Sequence, residues 1–295
     1  MMSFLTSLVN GLSLGSIYAI IALGYTMVYG IAKMLNFAHG DFIMVGCYII
    51  FVFSSSLGLP PVLAILLAVV LCTILGVTTE RVAYRPLRNA ASPLAVLITA
   101  IGVSYFLENM ALLIFGADTK SFTSVVPWSG LSLFNGELVI QGITVVTICI
   151  SLLILAVLQL FVHKTREGQA MLAVSQDRGA AMLMGIDVNK TITLTFAIGS
   201  ALAAVAGALL ASAYPSLTPY TGAMPGIKAF VAAVLGGIGS IPGAMIGGLV
   251  LGIIEILSRT YISSQLADAI VFGILVIVLI VRPAGILGKN IQEKV

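Results

Sequence analysis

The eight residues Leu35–Phe42, LNFAHGDF, interrupt an apolar region. The residues before them hold one charge, Lys33, and the run from Phe42 to Phe53 holds none. A chain that is 60% hydrophobic and 8% charged, with mean hydropathy +1.16, cannot be covered by a soluble surface, because soluble domains carry about 25% charged residues. The chain is an integral membrane protein, and LNFAHGDF is a polar break between apolar segments. Asn36, His39 and Asp41 are suited to cap the helix that starts near Phe42, and Gly40 permits a turn. Backbone that leaves a helix in the membrane is tolerated where it lines a cavity, so Asn36, His39 and Asp41 are candidates for the mouth of a pathway. A His39 proton relay is the competing reading, although a relay wants several aligned ionisable groups.

Outward from this break, apolar runs of about 20 residues mark spans that cross a hydrocarbon core of about 30 Å. They are expected near 7–32, 41–57, 60–80, 92–116, 141–163, 191–213, 226–241, 242–260 and 265–282. The total is 8–10, because Pro215, Pro219, Pro225, Pro242 and several glycines cut 214–260 into short pieces. The first apolar stretch has no basic n-region and is expected to remain as a span. The fold class is all-α: a polytopic helical bundle in which residues 1–295 form a single transmembrane domain. By the positive-inside rule the cytoplasmic segments hold Lys33, Arg81, Arg85, Arg88, Lys164, Arg166, Arg178, Lys190, Arg282, Lys289 and Lys294. Lys120, Lys228 and Arg259 fall on the far side, and the C-terminus faces the cytoplasm.

Helix, polar break, short helix, Gly/Pro turn and helix occur twice. LNFAHGD leads into FIMVGCYIIF and SSSLGLPP, and SAYPSLTPYTGAMP leads into GIKAFVAAVL and GGIGSIPG. About a fifth central span the two copies run in opposite directions, the pattern of an inverted repeat with broken helices.

Composition and motifs exclude other classes. Cys47, Cys72 and Cys149 lie in apolar runs without metal spacing and read as packing residues. His39 and His163 are the only histidines, so neither a catalytic triad nor a metal site is supported, and no catalytic residue is assigned. Scattered basic residues without stacking aromatics give no nucleic-acid interface. The chain lacks a P-loop and any soluble domain for nucleotide, so no cofactor is expected on it.

The loop 164–190 is the most informative segment. Ala170, Met171, Val174, Ala181, Met182 and Met184 give short amphipathic helices, with a break expected at Gly179 and a C-cap at Gly185. An apolar face held between two spans calls for a partner protein. Within it, GAAMLMG, residues 179–185, resembles the Glu-Ala-Ala-x-x-x-Gly loop of ABC importer permeases, with Gly179 standing where that motif has Glu. NGLSLGSIYAIIALGYTMVYGIAKMLNFAHGDFIMVGCY, ERVAYRPLRNA, REGQAMLAVSQDRGAAMLMGID and KAFVAAVLGGIGSIPGAMIGGLVLGIIE together resemble the H-type permease subunit of branched-chain amino acid ABC importers.

The resemblance implies a bacterial inner-membrane subunit carrying leucine, isoleucine and valine, although similar permeases carry urea, amides or other amino acids. Its implied partners are a second, M-type permease forming a heterodimer, two cytoplasmic ATPases that hold ATP and Mg, an extracytoplasmic substrate-binding protein, and the membrane lipid around the permeases. It implies that Gly179, Ala180, Ala181, Met182 and Gly185 couple to an ATPase. An ion-coupled secondary transporter is the rival, but it has no need for an unpaired coupling-type helix; a passive channel would conduct without partners.

Of the ionisable groups in apolar runs, Glu108 with Asn109 is a candidate for lining the pathway and meeting an ammonium, or for pairing with a partner subunit's cation. Glu255 and Arg259, four apart, are expected to pair. Gly243/Gly247 and Gly248/Gly252 are spaced for close helix packing. Trp128, the only Trp, is a candidate for docking the binding protein or for the interfacial aromatic belt.

Overall fold

The computed structural model describes residues 2–88, 93–133 and 138–288; Lys289 and Lys294 of the expected basic tail lie outside this set. Among the described residues, seven helices are long and apolar enough to span a membrane. They include α1 (Met2–Ala32), α2 (His39–Phe51, continued by a π turn at Val52–Ser56) and α3 (Pro61–Thr79, continued by turns to Leu87). They also include α4 (Pro93–Phe115), α5 (Gly142–Lys164), α8 (Val188–Ala213) and α10 (Ile241–Tyr261). Two shorter apolar helices complete the set: α9 (Ala223–Gly236) and α11 (Ala267–Val281). All nine fall on expected spans, but α9 and α11 are shorter than a span, and α9 ends at Gly236 where the sequence suggests 241. In the loop, α6 (Arg166–Gln176) and α7 (Arg178–Leu183) are amphipathic and short.

The basic residues gather at one end of the bundle. Arg178 donates to the Ala32 carbonyl, Arg88 to Asn189, and the tail returns to α9 through Ile286 N to Leu235 O at 2.9 Å and Leu287 N to Gly236 O at 3.0 Å. At the opposite end, Phe4 meets Tyr261, and β1 (Lys120–Ser121) pairs antiparallel with β4 (Ser216–Leu217). There too lies the hairpin of β2 (Gly130–Leu133) and β3 (Leu138–Gln141).

The sequence pattern helix, break, short helix, turn, helix is realised as α1–α2–α3 and again as α8–α9–α10. From the contacts at the two ends, α1 runs toward the basic end and α8 away from it, so the second copy is inverted. Glycine stripes hold the centre. A Cβ on Gly248 would lie 2.4 Å from Ala19 N, and one on Gly252 would lie 2.2 Å from Gly15 Cα, which locks α10 to α1. Gly243 and Gly247 do the same for α9, lying against the carbonyls of Gly236 and Ala232. Without a hydrophobic driving force between helices in lipid, this backbone approach supplies the van der Waals adhesion. The expected small-residue pairs therefore pack, and each serves a different neighbour.

Cys47 and Cys72 are buried and donate to the carbonyls of Gly207 and Phe42, whereas Cys149 is exposed on α5. α4 is the opposite of α1: only 17% of its span is buried inside this chain, leaving Leu94, Ile98, Tyr105, Phe106 and Leu113 for lipid or another subunit.

Candidate functional site

Why does the chain break at LNFAHGDF? Lys33 adopts a positive φ of 52°, ending α1, and the chain re-enters a helix at His39. The expected side-chain caps are not made: Ala38 is the N-cap, with no side-chain hydrogen bond. The polar groups go instead to tertiary neighbours. Asn36 Oδ1 accepts from the Tyr84 hydroxyl at 2.7 Å. The His39 ring is buried edge-on to Tyr25, 4.6 Å between centroids, in space opened by Gly24, where a Cβ would sit 2.4 Å from Nε2. The Asp41 carboxylate is turned toward α4, within electrostatic reach of Ser104 and Glu108.

Asp41 therefore joins Glu108, one turn beyond Ser104, whereas Asn109 is exposed and donates to its own helix at the Tyr105 carbonyl, 2.7 Å away. Gly40 does more than permit a turn. The first turn of α2 crosses the first turn of α9 there, and a Cβ on Gly40 would lie 2.7 Å from the Gly222 carbonyl oxygen. Gly226 faces Gly40 Cα in the same crossing.

α9 carries a group that the charge count places only on the far side. Lys228 is instead 4% exposed. It donates to Glu255 Oε1 at 2.7 Å and to Asp268 Oδ1 at 2.6 Å. Glu255, fully buried, also receives Arg259, as expected from their spacing, and the Tyr18 hydroxyl at 2.9 Å. Two cations and two carboxylates thus tie α1, α9, α10 and α11 together. A lone Lys in GIKAFVAAVL was the signal in the sequence, since a charge inside an apolar run implies a buried partner.

At the basic end, Glu80 is fully buried and receives Arg88 together with the Thr193 hydroxyl, 2.6 Å away. Burial lowers the Arg88 guanidinium from its ordinary value; Glu80 opposes this, while Arg85 and Arg178 add to it. The loop breaks at Asp177, not at Gly179. Asp177 is extended, ends α6, and caps α7 by accepting from Ala180 N at 3.0 Å, so Gly179 lies within α7. Gly185 ends the loop helix with φ 82°, as a C-cap requires. The apolar face is split. Met171, Val174 and Ala181 are buried against this chain, whereas Met182, Leu183 and Met184 are 63%, 90% and 82% exposed beside the exposed Gly179, Ala180 and Gly185. Trp128, 43% exposed at the opposite end, lies against Gly142 at the start of α5.

Nine apolar helices among the described residues, two short ones crossing at glycines and a loop presenting a bare Met-Leu-Met tip, are the features of a polytopic membrane permease. Residues 7–279 match the family described as the permease component of branched-chain amino acid transport systems, and the chain belongs to that family. It is similar to the high-affinity branched-chain amino acid transport system permease proteins LivH of Salmonella typhimurium, 44% identical over 302 residues, and BraD of Pseudomonas aeruginosa, 45% identical over 303. Each alignment covers 99% of this chain and 98% of the relative. A probable LivH of Methanocaldococcus jannaschii is 32% identical over 290 residues, covering 93% of this chain and 90% of that one.

Proposed function

We propose that the chain is one permease subunit of an ATP-driven importer of leucine, isoleucine and valine, forming half of the translocation pathway. It pairs with a second permease, and one of the complex's two ATPases docks on its basic, cytoplasmic end; a substrate-binding protein delivers cargo at the opposite end, where Trp128 is a contact. The observation that carries this reading is the α7 tip. Three consecutive large apolar side chains at Met182–Met184 face away from the bundle on a short helix, at the end with the basic residues. Exposed apolar groups of this kind mark a protein contact. Gly179, Ala180, Met182 and Gly185 belong to that surface; Ala181 faces inward and anchors the tip. Asn36, His39, Asp41 and Glu108 lie along the pathway, with the break near its cytoplasmic mouth.

The test is reconstitution. The chain, gently extracted, copurifies with a second permease and two ATPases, and proteoliposomes of that complex take up labelled leucine only with ATP and binding protein. Uptake driven by an ion gradient without ATPases refutes the reading, and a panel with urea, amides and other amino acids fixes the cargo.

A further inference from the structure

α2 and α4 meet along a seam that changes character with depth. At its middle lie Asp41, 3% exposed, and the half-buried Glu108, with Ser104 of α4 close to the first. Ser104 is at the midpoint of α4, about 16 Å from either end of that helix at 1.5 Å per residue, and Glu108 is one turn farther from the basic end. Neither carboxylate has a cation within ion-pair distance among the described residues, in contrast to Glu80, Glu255 and Asp268, which all do. Two carboxylates so placed repel one another in a low-dielectric seam, and a cation held between them relieves that cost.

Toward the end away from the basic residues, the seam opens into a cavity of about 330 Å³. That is at the lower end of the ~300–1,000 Å³ range of small-molecule sites. Its walls include Met44, Val45, Ile49, Leu107 and Ala111. Val45 and Tyr48 follow Asp41 at four and seven residues on α2, and Leu107 and Ala111 follow Ser104 at three and seven on α4, so the cavity continues the faces that carry the acidic pair. Tyr48 also lines it. Its side chain is buried, yet its hydroxyl has no hydrogen-bond partner among the described residues. A buried hydroxyl left unpaired is costly unless a ligand or water completes it.

Resting on the function proposed above, we infer that this seam is a substrate subsite. Asp41 and Glu108 receive the α-ammonium of an amino acid, and the adjoining cavity receives its branched aliphatic side chain. An apolar cavity beside a carboxylate pair discriminates in both directions. A charged side chain is left desolvated in the groove, and a solute without an ammonium leaves the pair uncompensated.

The experiment measures labelled leucine uptake by the full complex in proteoliposomes, with subunit composition checked for every variant. Asp41→Asn with Glu108→Gln reduces uptake at least about tenfold, Glu108→Asp stays within about threefold of wild type because it keeps the charge, and Ala111→Trp, which fills the groove, matches the double variant. Uptake within about twofold of wild type in the charge-neutral variant overturns the subsite. Loss of the second permease from that variant also overturns it, by assigning the carboxylates to the subunit interface. Normal uptake in Ala111→Trp, with bound phospholipid lost in native mass spectrometry, makes the groove an acyl-chain site and overturns it as well. Should the wild-type complex carry another ammonium-bearing solute, the cargo reading fails while the same variants, measured with that solute, still decide the subsite. A complex carrying only neutral solutes refutes the subsite.

Discussion

Replacing Lys228 by Met tests whether the buried charge network holds α9 in place. Lys228 and Glu255 are 4% and 0% exposed at the side chain, so the substitution removes a cation from a setting with almost no water to replace it. Breaking a buried pair by deleting one partner costs about 3–5 kcal/mol. Here the lower end applies, near 3 kcal/mol, for two structural reasons. Glu255 keeps Arg259 and the Tyr18 hydroxyl, and Asp268, 45% exposed, can be hydrated. A second substitution sharpens the test. Glu255→Gln added to Lys228→Met leaves no buried carboxylate in this network, frees Arg259 toward solvent, and retains an amide oxygen for Tyr18. The double variant is therefore less destabilised than the sum of the singles, by about 1–3 kcal/mol of coupling. The assay is an SDS titration of the purified permease in mixed micelles, following loss of helical signal. A loss below about 1 kcal/mol in Lys228→Met, or strict additivity, would refute the claim that these charges act as one buried unit.

Three further outcomes follow from the geometry. Gly40→Val drives side-chain atoms into the Gly222 carbonyl, so it costs about 1–3 kcal/mol by overpacking and lowers uptake, whereas Gly102→Ala on α4, with nothing within 4 Å, leaves both unchanged; uptake and thermal unfolding of the pair check this. Leu183→Asp, at a position 90% exposed, leaves the melting temperature of the permease unchanged but removes the ATPase from the copurified complex, because a carboxylate in an apolar contact costs several kcal/mol. Arg178→Ala removes the cation at the C-terminal carbonyls of α1, so stability falls by about 1 kcal/mol and leucine moved per ATP falls further; equal leucine per ATP would show that the contact is structural alone.

The break in LNFAHGDF was legible because a polar, glycine-containing octet between apolar runs does not continue a membrane helix. What its side chains do was not legible. Short polar residues at a helix start read locally as caps, yet Asn36 goes to Tyr84, His39 to the space above Gly24, and Asp41 toward α4, and no local pattern identifies neighbours so distant in the chain. The same limit explains Lys228. Counting basic residues by side assumes that each lies in a connection, and a lysine stem long enough to reach two carboxylates on other helices escapes that assumption. In the loop, a small residue was weighted over a cap: Gly179 fits inside a helix, while the extended Asp177 ends one helix and starts the next. Glycine spacing fared better, since intervals of four place small residues on one face whatever their partner, although that Gly248 and Gly252 meet α1 while Gly243 and Gly247 meet α9 depends on the fold.

The distribution of close contacts also decides which parts can move as one. α1 and α10 approach at backbone distance along Gly11, Gly15, Gly248 and Gly252, so neither can slide past the other without lifting the backbones apart. α9 is bound to the same pair twice, by Gly243 and Gly247 at one side and by Lys228 on Glu255 at the other. These three helices are a rigid body. α2 touches it at the glycine crossing of Gly40 with Gly222 and Gly226 and through the His39 ring, which packs on Tyr25 in the space opened by Gly24. Arg178 grips the end of α1 from the base of α7. A displacement of the α7 tip is therefore delivered to the rigid body at one end, and its nearest yielding point is the segment from Lys33 to Ala38, where no helix is formed. That segment adjoins Asp41, so a displacement delivered there is expected to shift α2 against α4.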